Sequence, residues 1–453
     1  MNIQSANSNP LIKYLLPGTV ATALVFCAAH CPAADAPAWT RPVKETYLRI
    51  ADEVEANLQK EILEKFFPAT VDEQGGGFHE NYGLDWTRAA GNNKSIVYQS
   101  RLTWTSAEAA RRFPAQAGLY LAMTRRGAAC LADKLWDKQN GGFFWSVGPD
   151  GQPISGTKQM YGHAFGIYAL AASYQATKDQ ATLDLAKKAF QWLEEHSHDG
   201  VNKGYIENIG ADGKPVTRGG GNAVGAGAGQ KSMNTSIHIL EALTGLYEVW
   251  PDPLVKTRVQ EMLEICRDKV YSEPGYLTQF FSADWQPARS PDSFGHDVEA
   301  GFLMVEAAEV LGQEDPRAWA AARHLVDHAM QYGWDNQLGG LYDAGTMNAQ
   351  GVVTGGLRTQ KIWWVEAEHL NALLLQHERL GKETTQYWDA FIKQWDWISK
   401  YQIDHTHGGW WATVQADGTP ASTVKADMWT ECYHQGRAML NVSARLRKLA
   451  ASK

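Results

Sequence analysis

Cysteine is scarce in this chain of 453 residues: five in all, two of which (Cys27 and Cys31) fall among the first 34. Cys130, Cys266 and Cys432 are too few for a disulfide framework, and their spacing matches no zinc motif. They read as buried, inert thiols. Long basic runs are absent and the net charge is −8. That argues against nucleic acid or an anionic membrane surface as the main partner. Charged residues are 20% and hydrophobic ones 44%, which excludes a disordered chain, a coiled coil and a collagen-like repeat. What is abundant is aromatic: 18 Trp and 17 Tyr. Most of these belong in a core, but some at a pocket mouth would stack on the apolar faces of a ligand.

The first 34 residues differ from the rest. Lys13 is the only charged side chain before Asp35, an apolar run extends from Tyr14 to about Ala29, and small residues follow. This is the layout of a secretory signal peptide. The run is broken by Pro17-Gly18 and is too short for a membrane span. The expectation is a leader over residues 1–34, a mature single catalytic domain over 35–453, and a periplasmic or secreted enzyme that is not held at a membrane after cleavage.

The mature chain repeats itself. A glycine-aromatic or glycine-aliphatic cluster recurs six times, ending at Phe78, Phe143, Tyr205, Tyr276, Leu341 and Trp410, with spacings of 65, 62, 71, 65 and 69 residues. Several clusters lead into an Asp-Gly turn, at Asp150-Gly151, Asp212-Gly213 and Asp417-Gly418, the signal of a short hairpin. Two stretches of helical periodicity separate successive clusters. Six units of helix, helix and hairpin cannot each bury a face alone, so they must stack. The expected fold is all-α: an (α/α)6 barrel of six helix-pair repeats with short β-hairpins at one mouth, closure being an analogy with known enzymes of six such units.

That arrangement brings the residues opening one helix of each unit to a common mouth. They are Arg101 and Trp104, Tyr161 and His163, Asn234 and His238, His296 and Glu299, Trp363, Trp364 and Glu368, and Trp429 and His434. Removing a proton from carbon beside a carbonyl needs a base with a pKa near the working pH, which histidine supplies. Returning it to the opposite face of a planar enediolate needs a second group on that side. His296 and His434 suit these roles, and Glu299, three residues after His296, shares its helical face and can orient it. Two alternatives stay open. Glu299 and Glu368 can be read as the carboxylate pair of a glycoside hydrolase, and the same enediolate serves an aldose–ketose isomerase. No metal-binding spacing supports a metal site, and no cofactor is expected.

Four segments, Asn234–Ala242, Gly295–Ala300, Trp363–Glu368 and Trp429–Arg437, occur in order on this repeat. Through them the chain resembles the N-acylglucosamine 2-epimerase superfamily, and within it the cellobiose 2-epimerases most closely. The resemblance implies cofactor-free epimerisation at C2 of a reducing-end sugar, with a small mono- or disaccharide as substrate. It assigns acid and base to His296 and His434, assistance to His238 and Glu299, and enediolate stabilisation to Arg101. It assigns sugar contacts to Tyr161, Asn234, Trp364 and Trp429; Trp363 and Glu368, placed at the same mouth by the repeat, are expected to contact the sugar with them. Three features depart from the disaccharide-acting pattern, one being that Ala226–Gln230 carries no acidic group before the asparagine. Ser236 stands where a histidine is common, and the Thr346–Gly351 loop lacks a tryptophan.

Overall fold

The computed structural model describes residues 40–288 and 290–452; the expected leader lies outside them. Among the described residues, twelve helices of twelve residues or more run in the chain order α1 Lys44–Asn57, α2 Ile96–Arg112, α3 Ala117–Cys130, α4 Met160–Thr177, α5 Gln180–His196 and α6 Met233–Val249, then α7 Pro253–Ile265, α8 Phe294–Val310, α9 Pro316–Tyr332, α10 Trp363–Leu380, α11 Gln386–Trp397 and α12 Tyr433–Ala451. The even-numbered helices form an inner ring in which each packs on the next, and α12 returns to α2. The odd-numbered helices stand outside. The first of them, α1, packs on the last inner helix, α12, so these two helices form the sixth pair. The fold is an (α/α)6 toroid, as the repeat predicts.

Local sequence explains the division. The outer helices α7 and α9 begin with Asp-Pro: Asp252 and Asp315 accept the next free backbone N–H groups while Pro253 and Pro316 take the first helical turn. Their apolar residues fall on one stripe. The inner helices are buried around most of their circumference, as α8 shows from Phe294 to Ala308, and their sequences are correspondingly apolar on all sides. No helix of the described residues is long and apolar enough to cross a membrane.

The glycine clusters turn the chain from each outer helix toward the mouth. Both members of Gly76-Gly77, Gly141-Gly142, Gly339-Gly340 and Gly408-Gly409 have φ between +65° and +88°, where any side chain is disfavoured. In five repeats the turn is bridged by residues seven apart: Val71 with Phe78, Trp136 with Phe143, His198 with Tyr205, Trp334 with Leu341 and Ile403 with Trp410. The fourth repeat is one residue tighter, and there Tyr271 pairs with Leu277. Leu277, rather than the expected Tyr276, therefore ends the fourth cluster.

The short strands join neighbouring units as well as folding back within one. The strand before each inner helix pairs antiparallel with the hairpin of the following unit: Lys94–Ser95 with Ser146–Val147, Thr157–Gln159 with Asn208–Gly210, Lys231–Ser232 with Phe280–Phe281, Asp292–Ser293 with Ala344–Met347, and Lys361–Ile362 with Thr413–Val414. A bridge from Tyr82 to Ala426 completes the circuit. This collar fixes where each inner helix starts, and so fixes the height of the side chains at the mouth.

Candidate active site

Ten of the eleven residues expected at the site line one cavity of about 200 Å³: Arg101, Tyr161, Asn234, His238, His296, Glu299, Trp363, Trp364, Trp429 and His434. All six inner units contribute. Glu368 is the exception. It is fully buried behind His434, whose Nδ1 lies 2.7 Å from its Oε1, so it positions a histidine rather than lining the cavity. Trp104 and His163 also stay out. Trp104 packs against Tyr168 and Tyr433, and His163 accepts the backbone N–H of Phe143 at 3.3 Å.

Trp364 contacts both histidines expected to handle protons. Its ring centroid is 4.7 Å from that of His296 and 5.5 Å from that of His434. Each histidine has Nδ1 engaged, which leaves Nε2 for a ligand. His296 Nδ1 is 2.7 Å from Ser293 Oγ. This corrects the expectation that Glu299 orients His296. Glu299 instead lies 2.5 Å from Arg437 Nη2 and 3.7 Å from His434 Nδ1. Ser293 is the residue before α8 and would ordinarily cap it, as Ser95 and Ser232 cap α2 and α6. Its side chain makes no cap here and turns to the histidine.

A buried guanidinium organises the floor. Arg437 meets Glu241 through Nη1, and its Nη2 lies 2.5 Å from Glu299 and 2.7 Å from Glu368. Although burial opposes it, the Arg437 charge together with His238 holds Glu241 down at about 2. Glu241 in turn accepts from His238 Nδ1 at 2.9 Å. Burial, outweighing the pull of Arg437 and helped by Glu299, pushes Glu368 up to about 8. Arg101 donates to Glu431 at 3.0 Å and to the Tyr161 hydroxyl at 2.8 Å.

Burial pushes His296 down to about 4. Burial and the guanidinium charges of Arg101 and Arg437 push His434 well below its ordinary value. Both are therefore neutral near pH 7 and able to accept a proton. Several buried polar atoms around the cavity have no partner among the described residues: Asn234 Oδ1, Arg101 Nε, Trp363 Nε1 and Glu299 Oε2. Such atoms are costly unless a ligand satisfies them. Donors and acceptors set among tryptophan rings suit a polyhydroxylated ring.

Arg437, Glu241, Glu431 and Ser293 were not among the residues expected at the site. The signal for two of them was present: Arg437 follows His434 by three and Glu241 follows His238 by three, so each shares its histidine's helical face. The chemistry available is proton transfer on two sides of a bound ring, beside a fixed positive charge. One atom from each of Glu299, Glu368 and His434 lies within 4.8 Å of the others. That is closer than the roughly 6.5–9.5 Å between the carboxyls of an inverting glycosidase. Arg437 already occupies both carboxylates.

The family model for N-acylglucosamine 2-epimerase (GlcNAc 2-epimerase) matches residues 76–438. The cellobiose 2-epimerase of Bacteroides fragilis is 29% identical over 395 residues, covering 87% of this chain and 98% of that one. The D-mannose isomerase of Marinomonas mediterranea is 24% identical over 84% of this chain and 94% of its own length. Among solved structures, the cellobiose 2-epimerase of Spirochaeta thermophila superposes with a TM-score of 0.80 at 30% identity, covering 91% of this chain and 99% of that one.

Proposed function

The chain belongs to the N-acylglucosamine 2-epimerase family, and from that premise we propose that it interconverts glucose- and mannose-configured reducing ends by proton transfer at C2. The observation that carries this reading is that two histidines, His296 and His434, line one cavity with Arg101, each ring against Trp364.

The sugar must first open, so that C1 becomes a carbonyl and the C2 proton acidic. His238, with Nδ1 tied to the ionised Glu241, keeps Nε2 for the ring oxygen or the anomeric hydroxyl. One histidine then removes the C2 proton. The electron pair moves to the carbonyl oxygen and gives a cis-enediolate, whose negative charge Arg101 stabilises. After the C1–C2 unit turns over, the other histidine delivers a proton to the opposite face and the carbonyl re-forms. The Glu368–His434 contact lets one residue serve both directions. With Glu368 ionised, His434 carries its proton on Nδ1 and offers a lone pair at Nε2. With Glu368 protonated, His434 offers Nε2–H. No cofactor enters this scheme.

The volume of the cavity suits one sugar ring. A second ring would project from the mouth. The relatives include a D-mannose isomerase, and an isomerase would return the proton to C1 instead of C2. Proton NMR of the purified chain with cellobiose, and separately mannose, in D2O separates these outcomes. The expected product is the C2 epimer carrying deuterium at C2. A ketose would move the assignment to isomerase, and glucose released from cellobiose would sink the two-histidine mechanism. We also propose export, through a leader over residues 1–34. Mass spectrometry of the protein from the periplasm or medium would show an N-terminus near Asp35, and a full-length cytoplasmic chain would refute it.

A further inference from the structure

The mouth of the toroid carries a repeated buried charge pair. Lys94, Lys158, Lys231 and Lys361 each stand two residues before an inner helix, and Lys425 precedes α12. All five are at most 2% exposed. Each ammonium meets an aspartate from its own glycine turn: Asp72 at 2.7 Å, Asp137 at 2.8 Å, Asp199 at 2.9 Å, Asp335 at 2.8 Å and Asp404 at 2.6 Å. Lys94, Lys231 and Lys361 also donate to a carbonyl of the turn, on Phe78, Lys203 and Gly339 respectively. The collar thus places one internal cation at five of its six joints.

The fourth joint reverses the charge. Asp292, two residues before α8, holds the lysine position and is fully buried. Its turn is the one shortened by a residue, and it supplies no aspartate. Two other side chains meet Asp292. Asp297, on the first turn of α8, accepts the Leu277 N–H at 3.0 Å through Oδ1. His328 of α9 donates through Nε2 to the Gly351 carbonyl, 2.8 Å away, and its Nδ1 is 3.6 Å from Asp292 Oδ2. All three are at most 3% exposed. The two carboxyl groups lie within hydrogen-bonding reach of each other, and among the described residues no other side chain satisfies Asp292, Asp297 Oδ2 or His328 Nδ1. Two carboxylates buried together without a cation are strongly disfavoured.

We propose that a divalent first-row cation such as Mn2+ or Zn2+ binds between Asp292, Asp297 and His328, taking the place that a lysine ammonium fills in the other five repeats. One ligand atom from each lies within 4.8 Å of the others, a spacing that small side-chain adjustments close around an ion at about 2.0–2.2 Å. Two carboxylates and one imidazole are a donor set for such ions. The second such cluster, Glu299, Glu368 and His434, is already neutralised by Arg437. The cation would tie the start of α8 to α9 and to the Gly351 loop. His296 lies between the two aspartates in sequence, so the ion would act as a positioning element for it.

The test uses the untagged full chain, stripped with a chelator and desalted. Equilibrium dialysis against Mn2+, and separately Zn2+, is read by elemental analysis alongside thermal unfolding. The expected result is ~1 equivalent bound per chain and a Tm that climbs with metal concentration. Both effects are lost in Asp292→Asn and in His328→Ala; where one of these fails to fold, the other decides. Asp292→Lys restores the residue of the sister repeats, and it should fold, bind no metal and show a Tm indifferent to chelator. Wild-type protein that binds under ~0.1 equivalent at ~1 mM metal with an unmoved Tm overturns the proposal, and assigns the joint to a proton shared by the two aspartates. Binding that persists equally in both variants also overturns it. None of these readouts depends on the sugar chemistry.

Discussion

Nδ1 of His434 lies 2.7 Å from Oε1 of Glu368, across 66 positions of sequence and from the neighbouring inner helix. The contact makes the protonation of one residue set the role of the other. His434→Asn removes the acid–base group and should lower kcat by about 10²–10⁴-fold. Glu368→Gln keeps the shape and removes the relay. It should lower kcat by about 10–100-fold with KM little changed. Steady-state kinetics with both variants check this. A Glu368→Gln variant that loses binding alone would place Glu368 on the substrate.

Arg437 is surrounded by Glu241, Glu299 and Glu368. Removing it leaves three buried carboxylates with no cation among them. Arg437→Met should cost about 3–5 kcal/mol of stability, the penalty of a broken buried pair. Urea denaturation measures it. A variant as stable as wild type would mean that the carboxylates simply take up protons.

The fold was legible because its determinants are local. Tandem glycines mark positive φ, Asp-Gly marks hairpins, and the roughly 65-residue recurrence counts the units. The converging mouth residues followed from that count. What stayed hidden was facing. Nothing near Ser293 in sequence says that it abandons its capping role for His296, and nothing near Glu368 says that it lies behind a histidine 66 residues away. The same holds for the collar, since each strand pairs with the next unit. The fourth repeat misled by a single residue: Tyr276 is the aromatic after the glycine, but the shortened turn puts Leu277 at the bridge.

Glu366 gives a pH signature of stability. Its carboxylate accepts the Leu341 N–H at 3.1 Å and meets Gln394 Nε2 at 2.5 Å. Burial pushes its pKa up to about 8. A raised acid contributes stability that is complete below its ordinary value near 4.5 and is lost as pH rises through about 8. Gln99 occupies the same position in the first repeat and accepts the Phe78 N–H at 2.8 Å, so glutamine is tolerated there. Glu366→Gln should therefore have a shallower fall of Tm between pH 5 and pH 9 than wild type. Parallel curves would place the titration elsewhere.

Ser293 and Ser232 occupy the same position before their helices but do different work. Ser232 Oγ accepts the Thr235 N–H at 3.1 Å and caps α6. Ser293 Oγ meets His296 Nδ1 and caps nothing. Ser232→Ala should cost about 1 kcal/mol of stability and leave kcat close to wild type. Ser293→Ala should leave stability unchanged and lower kcat by about 10-fold, because His296 loses the partner that fixes its ring and tautomer. Chemical denaturation and kinetics on the two variants form one experiment. If Ser293→Ala is destabilised like Ser232→Ala with kcat preserved, the serine is a cap after all, and His296 is oriented by its packing against Trp364 alone.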